Sequence, residues 1–315
     1  MISLLIIVIV ICGMILLAIN STISYEDESL KKTYGNNKQK ISLTSTGQQN
    51  KNMTERLAAT DLNRGKQPEE GVWFYTGCDT ILNRSDINSI MARNINTIYF
   101  SALNTNNCGW DNSSTFSKYV DFISYARSKG MSVFAEYRGD PTDITKTYHA
   151  LNDTFSSLIN RTKKIFDTYT VDVEPQCIKG ADPRVYLPQY VNMSKTLRQI
   201  ADQYGVKYTD TVPTWYHAEM KTYGIKKGLD ALSSHSLNLM DYNNTTIEVL
   251  NNIKDIRSEV TKPYVVSIKV TRGLDAPQLE GQEIPKTISA LKDSSIPVGL
   301  FEVDGVLKLP KELFP

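Results

Sequence analysis

Two acidic residues, separated by one residue, end a β-branched run near the middle of the chain, where residues 169–174 read YTVDVE. Side chains alternate along a strand, so Asp172 and Glu174 share one face with Thr170, and the opposite face is apolar. Two carboxyl groups this close cannot both ionise at low cost, so the pKa of one should rise into a range that suits a general acid. The pair therefore predicts acid–base chemistry, and an ordinary solvated acidic loop is the alternative.

Other segments hold polar or aromatic side chains that could join this pair. Residues 240–243 read MDYN, and the phenol of Tyr242 could either donate a hydrogen bond or fill space in a core. Trp215 offers an aromatic face, and His217 could titrate near neutral pH or lie satisfied at the surface. The remaining candidates, in or after other strand-like runs, are Glu136, Arg138, Asp210, Glu302 and Asp304. An internal ion pair is the alternative for Glu136 and Arg138.

The elements that must position these residues can be read from hydrophobic periodicity. Eight short runs rich in apolar, β-branched and aromatic residues alternate with longer stretches of helical spacing. Ser85 is a plausible N-cap for the first of these helices, and Gly130 and Gly205 suit the C-terminal ends of two others. The eight runs span residues 72–77, 97–102, 132–137, 169–174, 206–212, 236–242, 264–270 and 298–303.

This alternation predicts parallel strands joined by helical crossovers, and eight such units predict a (β/α)8 TIM barrel over residues 70–315. An open doubly wound sheet is the rival fold. The loop after the first run, TGCDTILNRS, holds a single glycine rather than the glycine-rich phosphate loop of such sheets. Active sites of TIM barrels lie at the C-terminal ends of the strands, so residues that follow different runs would meet at one rim.

The segment 167–174 resembles the D-x-x-D-x-D-x-E signature of family 18 glycoside hydrolases, the chitinase-type enzymes. Asp167, Asp172 and Glu174 match the signature, and Thr170 stands in place of its second acid. The MDYN segment is similar to the M-x-Y-D of the family, with Asn243 in place of the aspartate. The S-x-G-G of the family is absent after the third run, and Phe301 stands near the position of the tryptophan that forms the floor of the site.

The resemblance implies a glycoside hydrolase that acts on an amino-sugar polysaccharide. Glu174 would protonate the glycosidic oxygen, and Asp172 would orient the substrate acetamido group as that group attacks the anomeric carbon. Tyr242 would donate a hydrogen bond to the acetamido oxygen. The other residues expected to contact substrate are Asn243, Glu136, Trp215 and Glu302. No cofactor is expected, and the three scattered histidines match no metal-binding motif.

Two alternatives remain open at this point. Thr170, Asn243 and the missing glycine pair are also typical of a catalytically inactive barrel that binds glycans. A third hypothesis keeps hydrolysis but pairs Glu174 with Glu302 or Glu136 in a two-carboxylate glycosidase, whose sugar needs no acetamido group.

The N-terminal region differs in composition from the rest of the chain. Residues 2–19 carry no charged side chain, which predicts a transmembrane anchor in residues 1–20, or a cleaved signal segment. Residues 21–69 are polar and predict a flexible, disordered stem. An extracytoplasmic barrel is expected because the chain carries N-x-[ST] sequons at Asn20, Asn52, Asn83, Asn112, Asn152, Asn160, Asn192, Asn243 and Asn244. We expect Asn243 to carry no glycan, which would obstruct the site.

Charge and cysteine content exclude some classes of function. The chain has 35 basic and 34 acidic residues, so it lacks the positive surplus of a nucleic-acid-binding protein. Its four cysteines match no zinc spacing. In an oxidising compartment Cys78 and Cys108 are the first choice for a disulfide, since each follows a predicted strand, and unpaired thiols are the alternative. The partners expected are therefore a polysaccharide or oligosaccharide and, through residues 1–20, a membrane.

Overall fold

The computed structural model describes residues 70–75, 83–101, 113–166, 168–270 and 278–314. In this part of the chain eight parallel strands form a closed barrel in sequence order. The strands are β1 (Glu70–Tyr75), β2 (Thr97–Ser101), β3 (Ser132–Arg138), β4 (Thr168–Asp172), β5 (Lys207–Pro213), β6 (Ser236–Met240), β7 (Tyr264–Lys269) and β8 (Val298–Phe301). Each overlaps one of the eight predicted runs, so the predicted TIM barrel is confirmed.

Helices of the described residues alternate with these strands. They are α1 (Arg84–Met91), α2 (Ser113–Ser128), α3 (Tyr148–Thr162), α4 (Pro183–Tyr204), α5 (Tyr216–Thr222), α6 (Thr246–Asn252), α7 (Lys254–Glu259), α8 (Glu283–Asp293) and α9 (Val303–Lys308). Helix α4 shows how the sequence sets these bounds. Asp182 caps its first turn by accepting a hydrogen bond from the backbone N–H of Arg184, and Gly205 ends it in the left-handed conformation at φ 65°. Ser85, by contrast, lies inside α1, because Asn83 is the N-cap.

The apolar face of each strand packs against the helices. On β4 this face carries Tyr169, whose hydroxyl shares a hydrogen bond of 2.9 Å with that of Thr162 on α3. The ring of Tyr169 also lies 5.9 Å from that of Phe155 on the same helix. The alternate residues Thr170 and Asp172 therefore face the interior of the barrel, as the strand period requires.

Aromatic side chains fill the interior of the barrel. Trp73 and Tyr99 stack with ring centroids 4.5 Å apart, and Phe134 lies 5.7 Å from Tyr99. Phe301 packs against this cluster. The Trp73 indole donates a hydrogen bond of 3.2 Å to Ser267 on β7. This packed layer means that polar side chains at the C-terminal rim stand over a closed floor rather than over a pore.

Several expectations fall outside the residues that the structure describes. These are the anchor over residues 1–20, the stem over residues 21–69, and the proposed pairing of Cys78 with Cys108. Within the described ranges, no helix combines the length and the apolar composition that crossing a bilayer demands. Cys177 is a free, exposed thiol.

Candidate active site

The last residue of β4 places a carboxyl group inside the barrel rim. In the strand register Asp172 pairs with Arg138 on β3 and with Thr211 on β5. Its side chain is buried, with 6% of the residue exposed, and among the described residues no donor reaches its Oδ1 atom. Burial is the main cause that raises the pKa of Asp172 well above its usual range, and the negative charges of Glu174 and Glu136 add to it. Arg138 acts in the opposite sense.

Glu174 lies two residues beyond β4, at the start of the short 3-10 helix Pro175–Cys177. Partial burial raises the pKa of its carboxyl group, and the positive charge of Arg138 lowers it. The two acids predicted from the sequence are thus electrostatically coupled at the rim. Such coupling favours a state in which one is protonated while the other is ionised.

A short hydrogen-bond chain fixes the orientation of Glu174. The side-chain amide of Gln176 donates to Oε1 of Glu174 at 3.1 Å. The carbonyl oxygen of the same amide accepts a hydrogen bond of 2.5 Å from the hydroxyl of Tyr216. Tyr216 is fully buried on α5, so the chain ties the acid to the rigid body of the barrel.

The loop after β3 packs against the end of β4. The backbone N–H of Gly139 donates to the carbonyl of Asp172 at 2.8 Å. A Cβ at position 139 would lie 2.5 Å from Cγ2 of Val173 and 2.7 Å from Oδ2 of Asp143, so no larger residue fits without a shift. Asp143 is itself buried and accepts a hydrogen bond of 2.9 Å from the hydroxyl of Tyr137. Glycine is therefore needed at position 139 for this close approach.

Tyr242 follows β6 and faces the acids from the other side of the rim. Burial is the main cause that raises the pKa of its hydroxyl well above the usual value. Nearby negative charges add to the shift, and they belong to Asp172, Glu174, Glu136 and Glu302. Its ring centroid lies 5.5 Å from that of Phe301, which therefore takes part in the floor under the site. Five sequence candidates thus come together: Asp172, Glu174, Glu136, Glu302 and Tyr242.

Glu302 reaches the rim from the end of β8, after a cis peptide bond with Phe301. Burial raises the pKa of its carboxyl group and Asp304 contributes in the same sense, whereas Lys269 opposes them. Lys269 on β7 lies almost entirely inside the barrel, with 1% exposed. Its positive charge partly balances the acids of the interior.

A cavity of about 270 Å³ opens beside Glu174, between the ends of β4, β5 and β6. Trp215 stands at this cavity with 43% of its surface exposed, which is unusual for so large an apolar side chain. Asn243, another sequence candidate, also lies in its wall. The lining residues are Glu174, Gln176, Pro213, Thr214, Trp215, Met240, Asp241, Tyr242, Asn243 and Asn252.

No protein-family model matches this chain, and no curated protein sequence does either. Solved structures do match in three dimensions. A chitinase catalytic domain from Pyrococcus furiosus aligns with a TM-score of 0.52 and 14% identity, over 76% of this chain and 85% of its own. An endo-β-1,4-glucanase from Xanthomonas axonopodis pv. citri aligns with a TM-score of 0.54 and 8% identity, over 75% and 88%. The shared feature is the barrel fold. The predicted distant resemblance to chitinase-type barrels is confirmed at that level.

Asp241 was not singled out from the sequence, yet it is among the most buried acids of the site. Its Oδ1 atom accepts hydrogen bonds from Asn252 at 2.9 Å, from Thr214 at 3.4 Å and from Asn243. Burial raises the pKa of Asp241 to about 6, although these three donors lower it. Only its position inside MDYN could have drawn attention to it.

Two other candidates lie away from the rim cluster. Asp210 points outward from β5 and accepts hydrogen bonds from the hydroxyls of Ser194 at 2.7 Å and of Tyr208. It is therefore a structural acid between strand and helix. His217 is buried on α5, with Nε2 3.1 Å from Glu259, so the expectation of a surface histidine was wrong.

Two further points complete the placement of the sequence motifs. Asp167, the first acid of the D-x-x-D-x-D-x-E resemblance, lies outside the described residues. Within the described ranges, no three His, Cys, Asp or Glu side chains are grouped so that they could hold a metal ion.

Proposed function

We propose that this protein is an extracytoplasmic glycoside hydrolase that cleaves an amino-sugar polysaccharide, with Glu174 as general acid and Asp172 assisting. The observation that carries the proposal is the coupled pair of acids at the end of β4, with raised pKa values and Tyr242 facing them. A raised pKa lets a carboxyl group keep its proton to higher pH than an ordinary carboxylic acid, which favours its action as a general acid. The chitinase and glucanase folds of the structural relatives support the same class of reaction.

The proposed reaction has two steps. In the first, Glu174 gives its proton to the glycosidic oxygen, the bond from that oxygen to the anomeric carbon breaks, and the acetamido oxygen of the same sugar bonds to that carbon. In the second, water attacks the anomeric carbon from the side of the departed group, and the carboxylate of Glu174 takes a proton from that water. The bond from that carbon to the acetamido oxygen breaks as the bond to water forms, and the product retains its configuration.

Asp172 suits the assisting role because its Oδ1 atom is buried and no described residue donates to it. The N–H of a bound acetamido group would supply that missing hydrogen bond, and Asp172 in its ionised form would stabilise the positive charge that develops on the group. The hydroxyl of Tyr242 forms no hydrogen bond with the described residues, so it can donate to the acetamido oxygen. Phe301 would lie beneath the sugar ring, and Trp215 would stack on a neighbouring sugar.

The location of the barrel is part of the proposal. The uncharged segment 2–19 supports single-pass anchoring in the cell membrane with the barrel outside, or secretion if the segment is cleaved. The sequons support the same side of the membrane, with Asn243 left unmodified because it lines the cavity beside Glu174.

The decisive experiment compares wild type with Glu174→Gln on N-acetylglucosamine oligomers, with release of reducing ends as the readout. We expect kcat to fall about a thousandfold, because the amide cannot donate the catalytic proton. Glu312→Gln, which changes an exposed glutamate at the C-terminus, is the matched control. Hydrolysis by Glu174→Gln at the wild-type rate would refute the assignment, and thermal unfolding would check that both variants fold.

A two-carboxylate glycosidase is the second candidate, since Glu136 and Glu302 share the electrostatic surroundings of Tyr242 with Glu174. In that mechanism the partner of Glu174 would act as nucleophile or as base for water, and no acetamido group would be required. Oligomers of glucose and of N-acetylglucosamine separate the two candidates. Cleavage of both at similar rates favours the two-carboxylate mechanism, and cleavage of the acetylated series alone favours the assisted one.

A further inference from the structure

The cavity beside Glu174 is lined by acidic and neutral side chains. Two carboxyl groups, Glu174 and Asp241, stand in its wall, and no lysine, arginine or histidine is among its lining residues. Arg138, the cation that acts on Glu174, is on β3 and does not line the cavity. With no cation in its lining, the cavity carries a negative potential whenever Glu174 or Asp241 is ionised.

Asp241 is the acid that makes this potential unusual. The residue is 1% exposed, and its Oδ2 atom has no hydrogen-bond partner among the described residues. No described residue forms an ion pair with it, and the neighbouring charge that acts on it is the negative charge of Glu248. A buried carboxyl group without a cation is costly, so a positive charge brought into the cavity would be bound favourably.

Trp215 adds a second feature that suits a cation. Trp215 is 43% exposed and lines the same cavity, and indole faces attract ammonium groups as well as sugar rings. The amides of Gln176, Asn243 and Asn252 stand around it as neutral partners for hydroxyl groups. The volume of about 270 Å³ is at the small end of ligand pockets and fits one sugar unit.

We propose that this cavity is a subsite for an amino sugar that carries a free ammonium group, held by the negative charge of Asp241 and stacked on Trp215. The inference rests on the proposed function and narrows its substrate. The sugar that is cleaved bears an acetamido group over Asp172, and its neighbour in the cavity beside Glu174 bears none. The preferred polysaccharide is then a partially de-N-acetylated amino-sugar polymer.

Asp241 lines the cavity while its Oδ2 atom is buried from solvent. Electrostatic interactions in such surroundings are weakly screened, so the attraction does not require a direct bond to that atom. Binding of the ammonium group should in turn favour ionised Asp241, whose pKa of about 6 lies close to neutral pH.

The test is calorimetric binding of a glucosamine tetramer to the wild-type protein at pH 6.5 and low salt. This ligand lacks the acetamido group, so the proposed mechanism does not cleave it during the measurement. We expect Asp241→Asn to weaken binding by at least about tenfold, and Asp255→Asn, which changes an exposed aspartate on α7, to leave it unchanged. Equal affinity in wild type and Asp241→Asn, or no binding by wild type, overturns the proposal.

A second measurement does not depend on the folding of Asp241→Asn. The Glu174→Gln protein, which does not turn substrate over, is titrated with an amino-sugar tetramer that carries two free amines and two acetamido groups, and with the fully N-acetylated tetramer. Tighter binding of a tetramer with two free amines and two acetamido groups than of the fully acetylated tetramer supports the subsite, and the reverse order overturns it. Failure of the proposed function shows itself separately, as an absence of hydrolysis in wild type.

Discussion

The side-chain amide of Gln176 donates a hydrogen bond of 3.1 Å to Oε1 of Glu174, and it is itself held by Tyr216. This contact makes Gln176 a positioning residue for the proposed acid. An N–H donor also stabilises the ionised form of a carboxyl group, so it holds the pKa of Glu174 lower than burial alone would set it. The same amide therefore holds the position of the acid and should act on its proton affinity alongside burial and Arg138.

Replacing Gln176 by Leu should therefore change both the rate and the pH profile. We expect kcat to fall about tenfold to a hundredfold, because the acid is no longer oriented. Loss of the donor raises the pKa of Glu174, so the alkaline limb of the kcat/KM profile should move to higher pH. The measurement is a pH–rate series from pH 4 to pH 9.

Gln199→Leu, an exposed change on α4, is the control for the Gln176 variant. Tyr216→Phe should move the profile in the same direction but less, since it removes only the group that orients the amide. A reduced kcat with an unmoved alkaline limb would contradict the proton-affinity role of Gln176, although it would leave orientation standing.

Replacing Asp172 by Asn should move the alkaline limb the other way. The pKa of Asp172 is raised by burial and by the neighbouring acids, so the two carboxyl groups repel when both are ionised. Removing one negative charge lowers the pKa of Glu174, and the alkaline limb should move to lower pH. We expect kcat to fall about a hundredfold as well, since the charge that stabilises the acetamido group is lost.

Asp153→Asn, an exposed substitution on α3, provides the comparison for Asp172→Asn. The assay is hydrolysis of N-acetylglucosamine oligomers over the same pH range. A profile superimposable on that of wild type would show that Asp172 and Glu174 do not interact, and the coupled-pair proposal would have to be abandoned.

Gly139→Ala tests whether the loop after β3 holds the end of β4 in place. The added Cβ would lie 2.5 Å from Cγ2 of Val173. Such overpacking typically costs about 1–3 kcal/mol of unfolding free energy, and displacement of β4 should lower kcat in addition. Urea unfolding and steady-state kinetics measure the two effects.

The double variant Gly139→Ala/Val173→Ala is the matched test of this contact. Shortening Val173 removes one of the two clashing atoms. The double variant should therefore lose less stability and less kcat than the sum of the losses in the two single variants. Strict additivity would mean that the strain at position 139 does not pass through Val173.

The sequence was sufficient for the barrel because the signals that define it are local. Side chains alternate between two faces along each strand, so the pattern of apolar residues within a short run already indicates a strand. A glycine such as Gly205 marks a helix end within its own turn. The spacing of Asp172 and Glu174 is local in the same sense. The Ser85 prediction failed because the helix begins at Arg84, after Asn83, whose side chain makes no capping hydrogen bond, so no local side-chain signal marks this end.

The parts of the site that the sequence did not reveal depend on contacts between distant segments. Gln176 gains its role from Tyr216, 40 positions along the chain. Asp241 gains its role from Asn252, at the end of α6, and from Thr214, which follows β5. His217 follows a strand, as a surface residue could, but the fold buries it against Glu259 and the backbone of Leu229.

Asp241 should make the stability of the folded protein depend on pH in a direction opposite to that of ion-paired acids. Burial raises its pKa from 3.8 to about 6. As pH rises between these values, the unfolded chain loses this proton first, so the free energy of unfolding of wild type falls and then levels off above pH 6. Asp241→Asn has no such proton to lose. Its stability relative to wild type should therefore increase by about 3 kcal/mol between pH 3 and pH 7.5.

Urea unfolding of both proteins at pH 3, 4, 5, 6 and 7.5 measures this difference. The absolute effect of the substitution is not needed, because the new amide changes the hydrogen bonds equally at every pH. Asp255→Asn gives the baseline for the same pH range. A relative stability that stays flat, or that favours wild type increasingly as pH rises, would mean that Asp241 is ionised at ordinary cost. The negative cavity beside Glu174 would then lose its main support, because an acid that ionises freely has no need of a cation.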